Sequence, residues 1–342
     1  MVSTKYIQRS IVLPFITIRC AARNLIGNAR RRWLTRGVSR QTNNGAIATS
    51  LLLVVFLWGG NNAGTKWLVG TWPPIWTGAT RFLLAGFILL AILRFTRWLG
   101  DFKPLAPGDS RQLWLRGGLS LAAYIVMFCW ALRLTAASHV ALYLGASPVW
   151  ALIWEERPQR NWSSLRRYGA ALLAVTGVVV LFWPALKTAN TSLAGEFCGF
   201  ASSLLWANYS HQSRLLARNI DGLNIAAHSM WMSGVWILPF GFVELAFHRI
   251  PVDPKHLGVQ AFCIVFGGVI PYALWNNALR HWRASQVLLF NNLIPVTTSV
   301  WVHFTLGEQI TSTFCVAMTL IILGVVLGQV DLAKYFNLPE SF

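Results

Sequence analysis

The side chains of this sequence that could do chemistry are few, and most of them interrupt long apolar runs. Arg81 stands about eight residues into one such run, where a guanidinium could clamp a carboxylate through two parallel N–H donors. The alternative is a structural arginine bonded to backbone carbonyls or neighbouring amides. Asn61 and Asn62 follow Gly59 and Gly60, and adjacent amides there could replace the hydration shell of a bound solute. Amides bonding across a close helix contact explain them equally well. Asn276, Asn291 and Asn292 extend the same polar seam. Tyr143, Tyr209 and Tyr272, with Trp206 and Trp275, add aromatic faces suited to a planar or cationic group, and Trp58 shares that setting. The candidate binding set is therefore Asn61, Asn62, Arg81, Tyr143, Trp206, Tyr209, Tyr272, Trp275, Asn276, Asn291 and Asn292.

No catalytic arrangement accompanies them. HExxH, paired aspartates and Cys/His clusters are missing from the sequence, so no catalytic residue, metal or other cofactor is expected. A GxxxxGK[ST] loop for ATP is missing as well. Glu196, Glu308, His139 and His303 are titratable candidates for ion coupling, or residues at wet helix ends. His228, which the repeat described below sets opposite Arg81, is a weaker candidate of the same kind. Cys20, Cys129, Cys198, Cys263 and Cys315 are odd in number and widely spaced, as small buried hydrophobes are.

The elements that must position these residues follow from composition. Apolar residues make up 55% of the 342 and charged ones only 12%, too few to clothe a water-soluble surface. Apolar stretches recur at 46–69, 74–93, 115–134, 138–154, 167–186, 193–213, 223–247, 257–279, 284–306 and 311–330. Each has the length that a helix needs to cross about 30 Å of hydrocarbon. They are too long and too unalternating for barrel strands, so the expected fold is an all-α integral membrane protein with ten transmembrane helices. Trp67, Trp72, Trp76, Trp114 and Trp162 fall near the ends of these stretches, where indoles anchor a span.

The net charge of +18 invites a nucleic acid or a membrane, and its placement selects the lipid bilayer as partner, with no nucleic acid. With a cytoplasmic amino terminus, 23 of the 29 Lys and Arg fall on the inside, five at the outer rim and only Arg81 within a span. That alternation puts both termini in the cytoplasm. Residues 1–45 carry nine of these cations and no acid. They read as a basic cytoplasmic tail, with an organelle leader or a misassigned start as alternatives.

Displacing the chain on itself by 147 residues aligns its halves without a gap. Ala131-Leu132-Arg133 falls on Ala278-Leu279-Arg280, Ala137-Ser138 on Ala284-Ser285, Pro148-Val149 on Pro295-Val296 and Gly177-Val178-Val179 on Gly324-Val325-Val326. The implied units are 46–190 and 191–331, followed by a cytoplasmic end at 332–342. Five helices per unit is an odd number, so the second repeat must be inverted relative to the first. Gly195 with Gly199, and Gly324 with Gly328, read as close-packing faces.

The stretches WGGNNAGTKWLVGTWPPIWTGATRFLLAG, ALRLTAASHVALYLGASPVWAL and YALWNNALRHWRASQVLLFNNLIPVTTSVWVHFTLGEQ resemble the two EamA-type repeats of the drug/metabolite transporter superfamily. The resemblance implies a ten-helix transporter of a small-molecule solute in a bacterial inner membrane, often an exporter, monomeric or homodimeric, with a cavity shared by both halves. A membrane-embedded enzyme or a channel on the same helical bundle is the competing expectation. One departure concerns the family's Gly-Glu pair, present at Gly307-Glu308. In the first half Asn161 takes that glutamate's place, while Glu155 and Glu156 arrive almost two turns earlier.

Overall fold

The computed structural model describes residues 44–96, 104–145, 147–148, 150–151, 162–187, 192–248, 250–307 and 312–329. Glu155, Glu156, Asn161, Glu308, nearly all of the basic tail and the carboxyl end lie outside the described residues. Among those described there is no strand. The helices of the described residues that the argument uses are, in order, α1 Asn44–Val69, α2 Pro74–Phe95, α3 Pro107–Leu134, α4 Ala137–Gly145 and α5 Trp162–Lys187. Then come α6 Leu193–Leu216, α7 Gly222–Phe247, α8 Pro254–His281, α9 Ala284–Leu306 and α10 Ser312–Gln329.

Local chemistry sets their starts. Pro74, Pro107 and Pro254 open α2, α3 and α8, where a missing N–H costs no helical bond. Side chains of Ser192, Asp221 and Asp253 accept orphan N–H groups at the starts of α6, α7 and α8. Asp253 bonds the N–H of Lys255 at 2.9 Å and of His256 at 3.0 Å, and these donors hold its carboxyl below the usual carboxylate range. Pro73, preceding α2, offers no side-chain cap. Glu244 of α7 supplies one from across the bundle, accepting the N–H groups of Ile75 at 2.7 Å and Trp76 at 3.0 Å.

Six of the helices, α1, α2, α3, α7, α8 and α9, are long and apolar enough to cross a membrane. The expectation of ten is thus met in six. α6 has the length, at 24 residues, but Ser202, Ser203, Asn208, Ser210, His211 and Gln212 make it more polar. α4 adjoins residues outside the described set, and α5 and α10 contain side chains outside it. Phe87, Phe240, Phe242 and Leu172 stand exposed on the helix exteriors, as lipid-facing side chains do.

The packing has a two-fold logic. α2 packs along α7, and α5 along α10. α6 packs on α3 and α4, with Gly195 against Leu134 and Gly199 against the Tyr143 ring. α1 in turn meets α8 and α9, with Gly64 against Cys263 and Gly59 against Thr297. Exchanging each helix with the one five places on maps these pairings onto themselves. At the α2–α7 crossing the two backbones themselves meet. A Cβ on Gly86 would lie 2.3 Å from the Trp231 backbone nitrogen, and one on Gly234 would lie 2.8 Å from the Leu83 Cα. Close helix contacts select small residues for this reason. α3 and α8 each also contain a π turn with a glycine pair, Gly117-Gly118 and Gly267-Gly268.

Cations tie the helix ends together. Where α1 and α3 terminate, Lys66 donates to the carbonyls of Leu132 and Thr135, both at 2.8 Å, while Arg133 donates to those of Val69 and Gly70. Where α6 and α8 terminate, Arg214 donates to the carbonyls of Leu279 at 2.8 Å and Arg280 at 2.7 Å, and Arg280 pairs with Asp221. Unsatisfied carbonyls at a helix C-terminus carry partial negative charge, so cations are favoured there.

Candidate functional site

A central cavity opens where α1, α2, α3, α4, α6, α8 and α9 converge, lined by Trp58, Asn61, Asn62, Arg81, Phe82, Tyr124, Leu144, Trp206, Gly267, Tyr272 and Ile294. The space it leaves is about 20 Å³, room for a water molecule. Arg81 is 2% exposed, and its Nη1 donates to Asn61 Oδ1 at 2.9 Å and Thr65 Oγ1 at 2.7 Å. Its Nε is buried without a partner. Its guanidinium carbon lies 4.7 Å from the centre of the Phe82 ring and 5.8 Å from that of Phe128. Among the described residues no carboxylate pairs with it. A buried cation with only neutral partners is electrostatically incomplete, since several kcal/mol of lost hydration is repaid only in part by amide and hydroxyl dipoles.

Beside the guanidinium stands an aromatic box. The Trp58 ring is 5.1 Å from Trp206, 4.9 Å from Trp275 and 5.8 Å from Tyr272, centre to centre, and Tyr124 lies 5.0 Å from Trp206. Trp58 itself is pinned by its indole N–H on the Gly267 carbonyl at 3.2 Å. That geometry needs the glycine: a Cβ on Gly267 would lie 2.2 Å from Asn61 Oδ1.

Five of the eleven residues expected from sequence line this cavity, and others pack behind it. Asn61, Asn62, Arg81, Trp206 and Tyr272 line the cavity. Trp275 packs on Trp58 and Trp206, with its indole N–H buried and unpartnered. Asn276 bonds the Tyr209 hydroxyl at 3.2 Å and the Tyr272 carbonyl at 2.9 Å, holding the box from behind. Asn62 donates to Thr298 at 3.0 Å, and Asn291 to Ser147 at 2.8 Å. Asn292 is fully buried with both amide atoms unpartnered. Tyr143 stands apart from the cavity lining, against Gly199 and hydrogen-bonded to Glu196. His228 bonds the Trp231 indole at 3.1 Å and does not line the cavity.

Sequence reasoning passed over Thr65, Phe82 and Tyr124. Thr65 carried a legible signal, four residues after Asn61 and so on the same helical face. Tyr124 sits one register position from the repeat equivalent of Tyr272. Phe82 had no such signal.

Comparison with known proteins agrees with this architecture. The sequence profile of the EamA-like transporter family matches residues 45–183 and again 193–328. The chain is 25% identical over 285 residues to the uncharacterized transporter YyaM of Bacillus subtilis (strain 168), covering 81% of this chain and 92% of that one. It is 23% identical over 287 residues to a protein named S-adenosylmethionine/S-adenosylhomocysteine transporter from Chlamydia trachomatis serovar L2, covering 80% and 86%. A solved crystal structure shares the fold at a TM-score of 0.65 and 18% identity, covering 83% of this chain and 97% of that one. Two family matches on one chain, apolar helices and a cavity between the matched halves converge on one assignment: the chain belongs to the EamA-like transporter family and is an integral membrane transporter.

Proposed function

We propose that the chain is a secondary carrier that moves a small carboxylate-bearing metabolite by alternating access about the Arg81 cavity. In this reading ten helices cross a bacterial inner membrane with both termini in the cytoplasm. Two inverted five-helix repeats, 46–190 and 191–331, rock against each other, and the direction is export. The exchange of helix pairings between α1–α5 and α6–α10 supports the inversion, because an odd number of passes reverses direction.

The single observation that carries the solute class is the buried Arg81, without a carboxylate partner among the described residues, beside amides and an aromatic box. A solute carboxylate would complete that charge through the unpartnered Nε and its neighbour. The box offers π faces to a flat or cationic remainder. An amino-acid-like solute has the first feature. S-adenosylmethionine, for which the chlamydial relatives are named, has both, with a sulfonium and an adenine besides its carboxylate. A cavity with room for one water favours a closed conformation that must open to admit solute, which disfavours a standing pore.

Counterflow in proteoliposomes tests this reading, with labelled amino acids and S-adenosylmethionine as solutes. Saturable exchange that requires Arg81 supports it. Unsaturable flux would indicate a channel, and covalent change of the solute an enzyme. Uptake into inverted vesicles reads direction. Labelling of a cysteine placed at Lys255 from the periplasmic face reads topology, and access from the cytoplasm alone would invert it.

A further inference from the structure

A second hollow lies on the exterior of the bundle, a groove of about 330 Å³ between α1, α8 and α9. Trp67, Phe262, Trp301 and Leu306 wall it, and Gly60 and Gly64 of α1 form part of its floor. A Cβ on Gly60 would lie 2.9 Å from the Trp301 ring, so the bare backbone lets that ring lie against α1. Gly258 differs, since a Cβ there would meet nothing within 4 Å. Packing therefore does not demand glycine at 258, and the space beside it is open. Lys255, Gly258, Thr305 and Leu306 are exposed along the groove, which faces outward from the helices.

Its chemistry is ordered along the helix axes. Lys255 stands in the first turn of α8, and Gly258, Val259 and Phe262 follow it into the groove. These lie three, four and seven residues on, so at helical rise the apolar part reaches about 10 Å below Lys255. The Lys255 ammonium sits 4.8 Å from the centre of the Trp67 ring, near the end of α1. Indoles at span ends mark the interface between water and hydrocarbon. A charge at that depth above an apolar channel matches the order of a phospholipid, with phosphate above and acyl chain below.

Nothing described in the chain answers this charge. Among the described residues no carboxylate pairs with Lys255. Asp253 is near in sequence, but its carboxyl accepts the N–H groups of Lys255 and His256 and meets His256 Nδ1 at 2.6 Å. The first turn of a helix is an unfavourable place for a cation, so α8 gains nothing from a lysine there.

We propose that the groove binds one anionic phospholipid, with an acyl chain along Phe262 and Trp301 and the phosphate on Lys255. A helix of a second copy, about 10 Å across, is too wide for the space, whereas an acyl chain is a single file of methylenes. This needs only a chain seated in a bilayer and no particular direction or mechanism of transport.

The test titrates the full chain in detergent with dioleoyl phosphatidylglycerol or dioleoyl phosphatidylcholine and counts bound lipid by native mass spectrometry. The first phosphatidylglycerol should bind about five-fold more tightly than the first phosphatidylcholine, as expected for one lysine near an anionic headgroup. Lys255→Gln should bring that ratio to about one and leave phosphatidylcholine binding unchanged. Gly258→Phe should fill the groove and weaken both lipids by about five-fold or more. Thr305→Phe closes the same space from α9 if the first variant does not fold. Arg218→Gln, just beyond α6, should behave as the parent, and glycerol phosphate, a headgroup without chains, should not compete. Equal binding of the two lipids by the parent, a preference that survives Lys255→Gln or is lost in Arg218→Gln, or undiminished binding with the groove filled overturns the proposal. Competition by glycerol phosphate, or a dimer that excludes lipid, overturns it as well.

Discussion

The two halves of the chain are built alike and equipped differently. At one end Lys66 and Arg133 close the C-termini of α3 and α1, and at another Arg214 closes that of α8 while Arg280 pairs with Asp221. The α2–α7 crossing sets a glycine from each half against the other's backbone. Yet Arg81, bonded to Asn61 and Thr65 in the cavity, has as its repeat equivalent His228, bonded to Trp231 away from the cavity. The scaffold tolerates duplication because helix packing and end-capping need only size and charge sign. Solute chemistry needs one charge in one place, and a second cation there would raise the cost of burial.

The widest gap between the halves should appear at that pair. Arg81→Ala should lower solute exchange by about 100-fold or more, as expected for removing one partner of a buried charge pair, with membrane insertion intact. His228→Ala should change it by less than about three-fold. Equal losses in counterflow would erase the asymmetry and return Arg81 to the scaffold.

Gly86→Leu and Gly234→Leu should behave as a matched pair. Each forces a side chain into the partner helix's backbone and should destabilise by about 1–3 kcal/mol or more. Thermal unfolding in detergent checks this, and a tolerant Gly86 beside an intolerant Gly234 would break the two-fold.

Lys66→Met and Arg214→Met should each remove charge-assisted bonds to helix-end carbonyls, at a cost of about 1–3 kcal/mol. The same assay in raised salt should shrink the loss only where the cation is more exposed.

Asp253→Asn should have the smallest effect, confined to the start of α8. Backbone donors lower the folded-state pKa of Asp253, so its contribution is present above the ordinary carboxylate range and lost as pH falls through the lowered value. The melting difference between parent and variant should therefore close on acidification. A difference that widens would reverse the assignment.

Much of this was legible in the residues themselves. The helical class, the repeat and the family follow from apolar run length, from the 147-residue register and from motifs such as Gly307-Glu308. The roles of Gly195, Gly199 and Gly324 as packing faces were equally readable, and each meets a neighbouring helix. Tyr143 was not so readable. Its aromatic character and its place in α4 suited the cavity, whereas its ring lies on Gly199 and its hydroxyl meets Glu196.

Hydropathy, capping and repetition are local properties, each set within a few turns of chain, so the sequence alone determined which segments are helices and that the chain is a duplicated membrane transporter. Which side chains meet depends on the rotation of each helix about its axis, where one residue turns the face by about 100°. That rotation is decided by the fit of side chains far apart in the chain, such as Trp58 on Trp206 and Trp275, or Gly234 on Leu83. Only the tertiary structure could therefore set Arg81 on Asn61 and Thr65, with no carboxylate beside it among the described residues, and bring His139 to Glu196 across the join between the halves.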